Sequence, residues 1–234
     1  MSDATAHSQI RSYVASETAV FRKTRERFGG LSNMASGFPL QVNGICIRTS
    51  EALYQSCRFP QRPDLQMMTF DQRSPMTAKM KGKPHRAESR PDWDHVRASI
   101  MRWCLRVKLA QNWSKFGELL LSTGDKPIVE ESRKDDYWAA KRSDSGTLVG
   151  INALGRLLME LREELRGLDA ARLQRVEPLD IPKFWLLGEP IRPVEVDWPI
   201  EDPLQVERSL SSHAVDPDEP TETALDSSQL KLNL

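Results

Sequence analysis

Residues 28–59 place a tight hairpin directly before a helix start, and this order limits how the chain can fold. Asn43-Gly44 separates two short apolar runs, which is typical of a two-residue β-hairpin. Thr49 then supplies a helix N-cap, and Glu51 falls in the first helical turn, where the helix dipole favours an ionised carboxylate. Tyr54 follows on the same helix face. The stretch predicts a pocket wall with a carboxylate and a ring; an ordinary first-turn acid is the alternative.

Two glycines precede the hairpin and offer backbone that a ligand can approach closely. Gly29 and Gly30 begin a loop that ends at Asn33, and such a loop suits a ligand pocket. Arg22 lies upstream, after a short predicted strand over residues 18–21. Its charge suits a phosphate, although a basic strand end on the surface is the commoner explanation.

Composition favours one globular domain with tails. The chain has 234 residues, of which 39% are hydrophobic and 28% charged. No apolar run approaches the roughly 18 residues that span a bilayer, and the N-terminus lacks a secretion-signal pattern, so we expect a cytoplasmic protein without a membrane segment. The three cysteines form no Cys-x-x-Cys pair, which argues against a disulfide framework and against a cysteine zinc site.

The charges are unevenly distributed along the chain. Residues 71–115 hold 11 Lys+Arg against 4 Asp+Glu, whereas residues 201–234 hold 8 acids against 2 bases. A basic region that faces a cleft would attract a polyanion such as a nucleic acid or a diphosphate. A solvated helix face is the alternative.

The order of strand and helix signals predicts an α+β fold, a mostly helical single domain around a small β-sheet with flexible termini. We expect a disordered N-terminus over residues 1–16 and the folded domain over 17–167. A C-terminal helix and an extended arm packed on the domain should follow over 168–203. The acidic segment 204–234 has the composition of a disordered tail.

A short helix that begins at Pro75 and ends before Gly82 carries the next candidate. Ser74 provides the N-cap and Pro75 the first helical position. Lys79 and Lys81 are two residues apart, so at most one of them points inwards. A desolvated lysine near other cations loses its proton more easily and can attack a sugar aldehyde as a neutral amine. A phosphate-binding or solvated lysine remains the alternative on spacing alone.

Aromatic residues mark two further candidates. Trp93 opens the longest predicted helix, over residues 93–112, outside its apolar stripe. Its ring can stack on a base, or it can act as a hydrophobic staple. Asp136 and Trp138 belong to a loop in which two acids precede two aromatics.

The last candidate is the start of the predicted helix over residues 152–166. Asn152 and Gly155 lie in its first turn, where free backbone amides can hold a phosphate.

Together these motifs resemble the NADAR (YbiA-like) family over about residues 21–166. The matching segments, in the family's order, are GGLSN at 29–33, TSEALYQ at 49–55, SPMTAK at 74–79, RPDW at 90–93, TGD at 123–125, DDYW at 135–138 and NALGRLLMELREEL at 152–165. Members of the family cleave N-glycosidic bonds of ribose phosphates. One branch hydrolyses riboflavin-pathway intermediates. Another removes ADP-ribose from guanine in DNA, as the antitoxin to a toxin of the DarT/DarG type, and this chain looks closest to that branch.

The resemblance implies catalytic roles for three residues. Glu51 and Asp136 match the family's acids and would deliver a proton and stabilise positive charge at the anomeric carbon. Lys79 matches the lysine that is implied to attack the sugar. Ala139-Ala140 departs from the glycine that other members often have after the aromatic pair, which leaves the loop shape and the substrate preference open.

The resemblance also implies a binding role for several side chains. Trp93 and Trp138 would stack on base or adenine rings. Asn33, Arg22 and Lys83 are candidates for the diphosphate. No metal or cofactor is expected, since the histidines lack partners at ligand spacing.

The predicted function is that of a glycohydrolase that removes ADP-ribose from guanine in DNA. The expected partners are ADP-ribosylated DNA, ADP-ribose as product, and a cognate ADP-ribosyltransferase toxin. An N-glycosidase for a phosphorylated riboflavin precursor is the alternative among enzymes, and a non-catalytic module that binds ADP-ribose or an NAD-related ligand is the alternative outside them. Acids at both 51 and 136 favour catalysis, because a pure diphosphate binder gains nothing from carboxylates near its anion.

Overall fold

The computed structural model describes residues 9–195, and the acidic tail predicted over 204–234 lies outside the described residues. Within that part of the chain no helix is long and apolar enough to cross a membrane. The described α-helices are α1 Ser50–Ser56, α2 Pro63–Phe70, α3 Pro75–Gly82, α4 Trp93–Gln111, α5 Trp113–Leu121 and α6 Ala153–Arg166. Short 3-10 helices occupy Ala15–Glu17, Gly29–Leu31, Lys83–Glu88 and Ala170–Gln174.

The strands are short and pair into several small sheets. They are β1 Arg11–Val14, β2 Ala19–Phe21, β3 Leu40–Val42, β4 Ile45–Ile47, β5 Ile128–Glu130, β6 Lys141–Arg142, β7 Thr147–Gly150, β8 Arg175–Val176, β9 Trp185–Leu186, β10 Glu189–Pro190 and β11 Val194–Glu195. β1, β7 and β6 form a three-stranded antiparallel sheet, whereas β2 and β5 form a parallel pair. β3–β4, β8–β11 and β9–β10 are antiparallel pairs. The predicted α+β class is confirmed.

Strand β1 corrects the prediction of disorder over residues 1–16. Residues 11–14 pair with β7, and the Tyr13 side chain is buried in a small cluster with Val129, Ala140 and Leu148. Burial of this ring offsets the entropy of ordering the strand. Residues 1–8 lie outside the described part of the chain.

The local signals around the hairpin and helix α1 act as the sequence predicts. Asn43 and Gly44 have φ values of 52° and 79°, as a two-residue turn with both central residues left-handed requires. The Thr49 hydroxyl accepts a hydrogen bond from the backbone N–H of Ala52 at 3.2 Å and so caps α1. Every side chain of α1 is buried, so this short helix is held by its surroundings.

Helix α4 forms the centre of the core. Its buried residues include Ile100, Trp103 and Val107, and the apolar face of α6 packs beside it. The segment after α6 covers the other side of α4: Trp103 lies edge-on to Phe184 with ring centroids 4.9 Å apart. The Trp103 indole N–H also donates to the carbonyl oxygen of Glu177 at 3.0 Å. The C-terminal segment is therefore packed on the domain as far as it is described.

Gly155 allows helix α6 to lie directly against strand β5. A β-carbon at this position would lie 2.0 Å from the carbonyl oxygen of Ile128, well inside contact distance. The glycine is required by packing, and this contact fixes the end of β5 relative to α6.

We expect Gly155→Ala to lower the free energy of unfolding by about 2 kcal/mol or more, since overpacking against backbone cannot be relieved by a side-chain rotation. Gly82→Ala is the matched control, because a β-carbon there would meet Phe59 at an ordinary 3.6 Å. The control should be neutral or stabilising by up to about 1 kcal/mol, because alanine is the better helix former. Urea unfolding of both variants measures the difference; equal losses would contradict the packing role.

Candidate active site

The loop over residues 29–33 positions the N-terminus of α1. The carbonyl oxygen of Asn33 accepts the backbone N–H of Glu51 at 3.1 Å. The Ser50 hydroxyl donates to the Asn33 side-chain oxygen at 2.9 Å. Asn33 is buried, with its amide nitrogen against the sulfur of Met101. Asn33 therefore fixes the position of Glu51 through its backbone and its side chain.

A buried lysine that the sequence analysis did not single out holds the same loop. The Lys108 ammonium donates to the carbonyl oxygens of Gly30 at 2.7 Å and of Ser32 at 3.0 Å. It also lies over the rings of Phe38 and Phe116, 4.5 and 4.4 Å from their centroids. Burial lowers the pKa of Lys108 to about 7. In the sequence, Lys108 lies between Val107 and Leu109 in an apolar helix stripe, and this position was the signal that could have identified it as buried.

Packing alone accounts for the paired glycines of this loop. A β-carbon on Gly29 would lie 2.4 Å from the carbonyl oxygen of Lys23, and one on Gly30 would lie 2.6 Å from the side chain of Leu119. Gly29 tolerates no side chain because the clash is with backbone, whereas a side chain at Gly30 would require Leu119 to shift. The predicted role of these glycines in ligand approach is not needed to explain them.

Two glutamates share one electrostatic environment at the centre of the site. Glu51 is buried and accepts a hydrogen bond from the Gln55 amide at 2.9 Å. Glu130, at the end of β5, accepts one from the Ser32 hydroxyl at 3.3 Å. Burial, together with the negative charge of Glu51, raises the pKa of Glu130 to about 7. Lys79 opposes this rise by its positive charge, which places it within electrostatic range of Glu130.

The structure does not bring the predicted acid Asp136 to this group. Its carboxylate is exposed and pairs with the Lys141 ammonium at 2.5 Å, which lowers the pKa of Asp136. Its neighbour Asp135 points the other way along the loop and caps the backbone N–H groups of Tyr137 and Trp138 at 3.0 and 2.9 Å. Glu130 occupies the place that the sequence analysis assigned to Asp136. In the sequence, Glu130 directly follows the apolar strand residues Ile128-Val129, and this position was the signal that could have identified it.

The predicted aromatic residues come together around Tyr54. Its ring lies 5.1 Å from that of Trp93 and 5.7 Å from that of Trp138. Tyr137 lies edge-on to Trp138 at 5.0 Å. Burial raises the pKa of Tyr54, and the charge of Glu51 adds to the rise. The Tyr54 hydroxyl therefore stays protonated within range of the Glu51 carboxylate.

Two arginines cover the outer faces of these rings. The Arg58 guanidinium lies 4.5 Å from the centroid of Trp93, and that of Arg97 lies 3.9 Å from the centroid of Tyr137. Among the described residues, the buried Nε atoms of both arginines have no hydrogen-bond partner. Burial lowers the pKa of Arg58, and the nearby charges of Arg86 and Arg97 act in the same direction. Cations placed this way suit an anion that brings its own acceptors.

The backbone amides at the start of α6 do not support the predicted phosphate site there, because two of them already donate to carbonyl oxygens of the chain. The N–H groups of Ala153 and Leu154 donate to the carbonyl oxygens of Tyr137 and Trp138 at 2.8 and 3.1 Å. The Asn152 side-chain amide donates to the carbonyl oxygen of Ile128 at 2.8 Å. These bonds hold the aromatic loop on the helix end.

Arg22 and Lys83 lie away from the centre of the site. Both side chains are exposed. The backbone N–H of Arg22 donates to the Glu26 carboxylate at 2.7 Å, which fixes the local turn. Lys83 begins the 3-10 helix Lys83–Glu88 that follows α3. Within the described part of the chain, neither side chain forms a hydrogen bond or an ion pair with the two glutamates.

The family is decided by a match of residues 20–166, most of the described chain, to the model of the NADAR domain. The chain belongs to the NADAR domain family. It is similar to the N-glycosidase YbiA of Escherichia coli (strain K12), with 34% identity over 157 residues, 65% of this chain and 92% of that protein. The NMR structure of Escherichia coli YbiA superposes with a TM-score of 0.55 and 33% identity, covering 64% of this chain and 86% of that one.

Other relatives have related names. An N-glycosidase of Nostoc punctiforme is 31% identical over 153 residues, 64% of this chain and 94% of that protein. A riboflavin biosynthesis protein of Vibrio vulnificus is 31% identical over 179 residues, 75% of this chain but 46% of its own length. The family match ends where α6 ends, so the segment that covers Trp103 lies outside it.

We expect Lys108→Met to lose stability relative to the wild type as pH rises from 7 to about 10. In this range the unfolded chain carries a proton on Lys108 that the folded chain has released, so the wild type gains up to about 1.4 kcal/mol per pH unit that the variant lacks. Lys115→Met is the control: its exposed ammonium also donates to a carbonyl, that of Gly37 at 2.9 Å. Urea unfolding at pH 7 and 9.5 measures the free energy of unfolding of both variants. If the two variants changed equally with pH, the lowered pKa of the buried Lys108 would be contradicted.

Proposed function

We propose that this chain is an N-glycosidase that removes ADP-ribose from guanine in DNA. The observation that carries the proposal is the pairing of Glu51 with Glu130, one buried carboxylate beside another whose pKa is about 7, with Lys79 in range of the second. Cleavage of a sugar–nitrogen bond requires a proton donor and a negative charge near the anomeric carbon. The names of the relatives favour N-glycosidase chemistry.

Glu130 acts as the general acid. With a pKa of about 7 it is protonated in a substantial fraction of molecules near neutral pH. Its proton passes to the leaving nitrogen of the base as the bond from that nitrogen to C1′ of the ribose breaks. The Glu51 carboxylate, held by Gln55 in the first turn of α1, stabilises the positive charge that develops on C1′.

Lys79 acts as the nucleophile. The lone pair of Nζ attacks C1′ as the guanine leaves with the proton from Glu130, and Nζ then passes one proton to the Glu130 carboxylate. The bond from C1′ to the ring oxygen O4′ breaks next: O4′ takes that proton, and a Schiff base joins Nζ to C1′. Water then adds to C1′ and breaks the bond to Nζ. This step returns the free amine and releases the sugar as an aldehyde, which closes again to ADP-ribose.

The aromatic wall and the arginines recognise the rest of the substrate. Trp93 and Trp138 lie on either side of Tyr54 and offer faces and edges to a base or to adenine. Arg58 and Arg97 lie at the outer side of the rings, where a diphosphate would supply acceptors for their Nε atoms. Two arginines beside two tryptophans suit a nucleoside diphosphate better than a compact phosphate monoester.

A second candidate is an N-glycosidase for a phosphorylated riboflavin precursor. The specific observation in its favour is the similarity to the Vibrio vulnificus riboflavin biosynthesis protein, which extends over 75% of this chain. The same acid, carboxylate and lysine would serve this reaction. A non-catalytic ADP-ribose-binding module is disfavoured by two carboxylates placed where a diphosphate binder would avoid them.

The test uses the full-length chain and an oligonucleotide that carries ADP-ribosylated guanine, with borohydride in a parallel reaction. We expect reversal to unmodified DNA and a borohydride-trapped adduct between protein and sugar. Lys79→Ala should lose both, whereas Lys81→Ala, two residues along the same helix and exposed, should retain both. Cleavage of riboflavin precursors without reversal would establish the second candidate; inertness towards both would refute N-glycosidase function.

We expect kcat to fall about tenfold per pH unit above pH 7, because the active acid is the protonated form of Glu130, whose pKa is about 7. Glu130→Gln should reduce kcat by about 100-fold or more and remove this pH dependence. Asp136→Asn is the matched control and should keep both the rate and the profile, since Asp136 pairs with Lys141 at the surface. A rate that rises with pH would instead make Glu130 a base.

A further inference from the structure

Helix α3 has one face on which the proposed nucleophile Lys79 is flanked by two methionines and a second lysine. Met76 lies three residues before Lys79 and Lys83 lies four residues after it, and residues at these spacings are neighbours on a helix surface. Met80 lies four residues after Met76 and three before Lys83, so it belongs to the same face. Lys83 keeps the helical conformation, with φ −61° and ψ −43°. We call these four residues the α3 face.

The α3 face runs from the candidate active site to the surface of the domain. Lys79 is half-buried and lies within electrostatic range of Glu130. Met76 and Met80 are each 54% exposed. A substrate small enough to be enclosed with Lys79 would leave both methionines in water, whereas a larger substrate would cover them.

The segment that carries the α3 face is strongly basic. Residues 72–87 hold five Lys+Arg and no Asp or Glu. Within the described part of the chain none of these five cations forms an ion pair, and Glu88, the next acid, pairs with Arg62. Arg86 lies within electrostatic range of Arg58 at the aromatic wall. The positive charge therefore extends from the proposed nucleophile towards the arginines of the proposed diphosphate site.

Cations without acidic partners beside exposed methionines suit a strand of nucleic acid. Such a strand carries one phosphate per nucleotide, and an unpaired strand also offers the faces of its bases. The sulfur of methionine makes favourable contacts with aromatic rings, and methionine is among the apolar side chains that proteins insert between bases. Both chemical parts of this surface, charge and apolar side chains, thus have a counterpart in one ligand.

We propose that the α3 face binds the DNA strand next to the modified guanine, with Met76 and Met80 against neighbouring bases. Lys83 and Arg86 then contact phosphates of the same strand. This role depends on the proposed function, because the reaction at Lys79 is what brings the modified nucleotide to α3. Neighbours on a helix face are about 5–6 Å apart, so the contacts fall on the nucleotides that directly flank the modified one.

The first test compares ADP-ribosylated guanosine as a free nucleoside with the same group in a single strand of about 12 nucleotides. Met76→Gln combined with Met80→Gln should lower kcat/KM for the strand by about fivefold or more and keep it within about twofold for the nucleoside. Glutamine preserves the helix propensity of methionine. Lys81→Gln is the matched control, because Lys81 is exposed on the same helix but lies off the α3 face.

A loss that is confined to the strand supports the proposal. Equal losses on both substrates would instead place the methionines in the pocket or in the stability of the fold. No loss on the strand would leave them without a role in binding. Either of these two results would overturn the proposal.

The second test measures binding without cleavage, by fluorescence anisotropy of a labelled, unmodified single strand. An abasic strand of equal length keeps the phosphates but lacks the bases. The wild type should bind the strand with bases about fivefold or more tightly than the abasic strand, and the double methionine variant should bind both equally. Lys83→Gln combined with Arg86→Gln should reduce the slope of log affinity against log salt by about 1.4, which corresponds to two phosphate contacts. Lys81→Gln should change neither quantity.

These binding results separate the surface from the reaction. Binding with the expected differences, but without cleavage of either substrate in the first test, would refute the proposed reaction and support the surface. A wild type that shows no preference for bases, or equal salt slopes for all variants, would overturn the surface, whereas cleavage of the nucleoside would still support the reaction.

Discussion

Carbonyl oxygens in the loop over residues 30–33 hold the candidate site together. Gly30 and Ser32 accept hydrogen bonds from the Lys108 ammonium, and Asn33 accepts one from the backbone of Glu51. A buried carbonyl without a partner costs free energy, so each of these bonds restricts where the loop can lie. Through this loop the central helix, the first catalytic carboxylate and the Ser32 hydroxyl keep fixed positions relative to one another.

The chemistry of the site follows from charges that are removed from water. Glu130 ends a strand in a poorly solvated position, where burial and the charge of Glu51 raise its pKa to about 7. The guanidinium groups of Arg58 and Arg97 lie over aromatic rings, and such ring faces attract a cation. The field of the site would orient a substrate of the proposed kind, with an anionic end and a leaving base. Such an arrangement reduces folding stability, and the dense packing around α4 compensates for it.

Signals that act over a few residues were predictable from the sequence. The turn at Asn43-Gly44 and the cap of the helix that carries Glu51 depend on local backbone chemistry, and both form as predicted. The remaining features depend on distant segments. Glu130 and Lys108 reach the site through strand pairing and helix packing, which spacing does not reveal. Asp136 was preferred because it precedes two aromatics, yet a surface lysine five residues later directs its carboxylate outwards.

The parallel pairing of β2 with β5 also determines when the active site can exist. Ala19–Phe21 forms hydrogen bonds with Ile128–Glu130, and all helices from α1 to α5 lie between them in the chain. Closing so long a loop is entropically costly until the intervening helices have packed, so this contact belongs to the late stages of folding. During synthesis, β2, Glu51 and Lys79 leave the ribosome before Glu130, so β2 has no partner strand until β5 follows. A nascent or truncated chain would therefore carry the proposed nucleophile without the proposed acid, and the candidate site is complete only when the two ends of the domain meet.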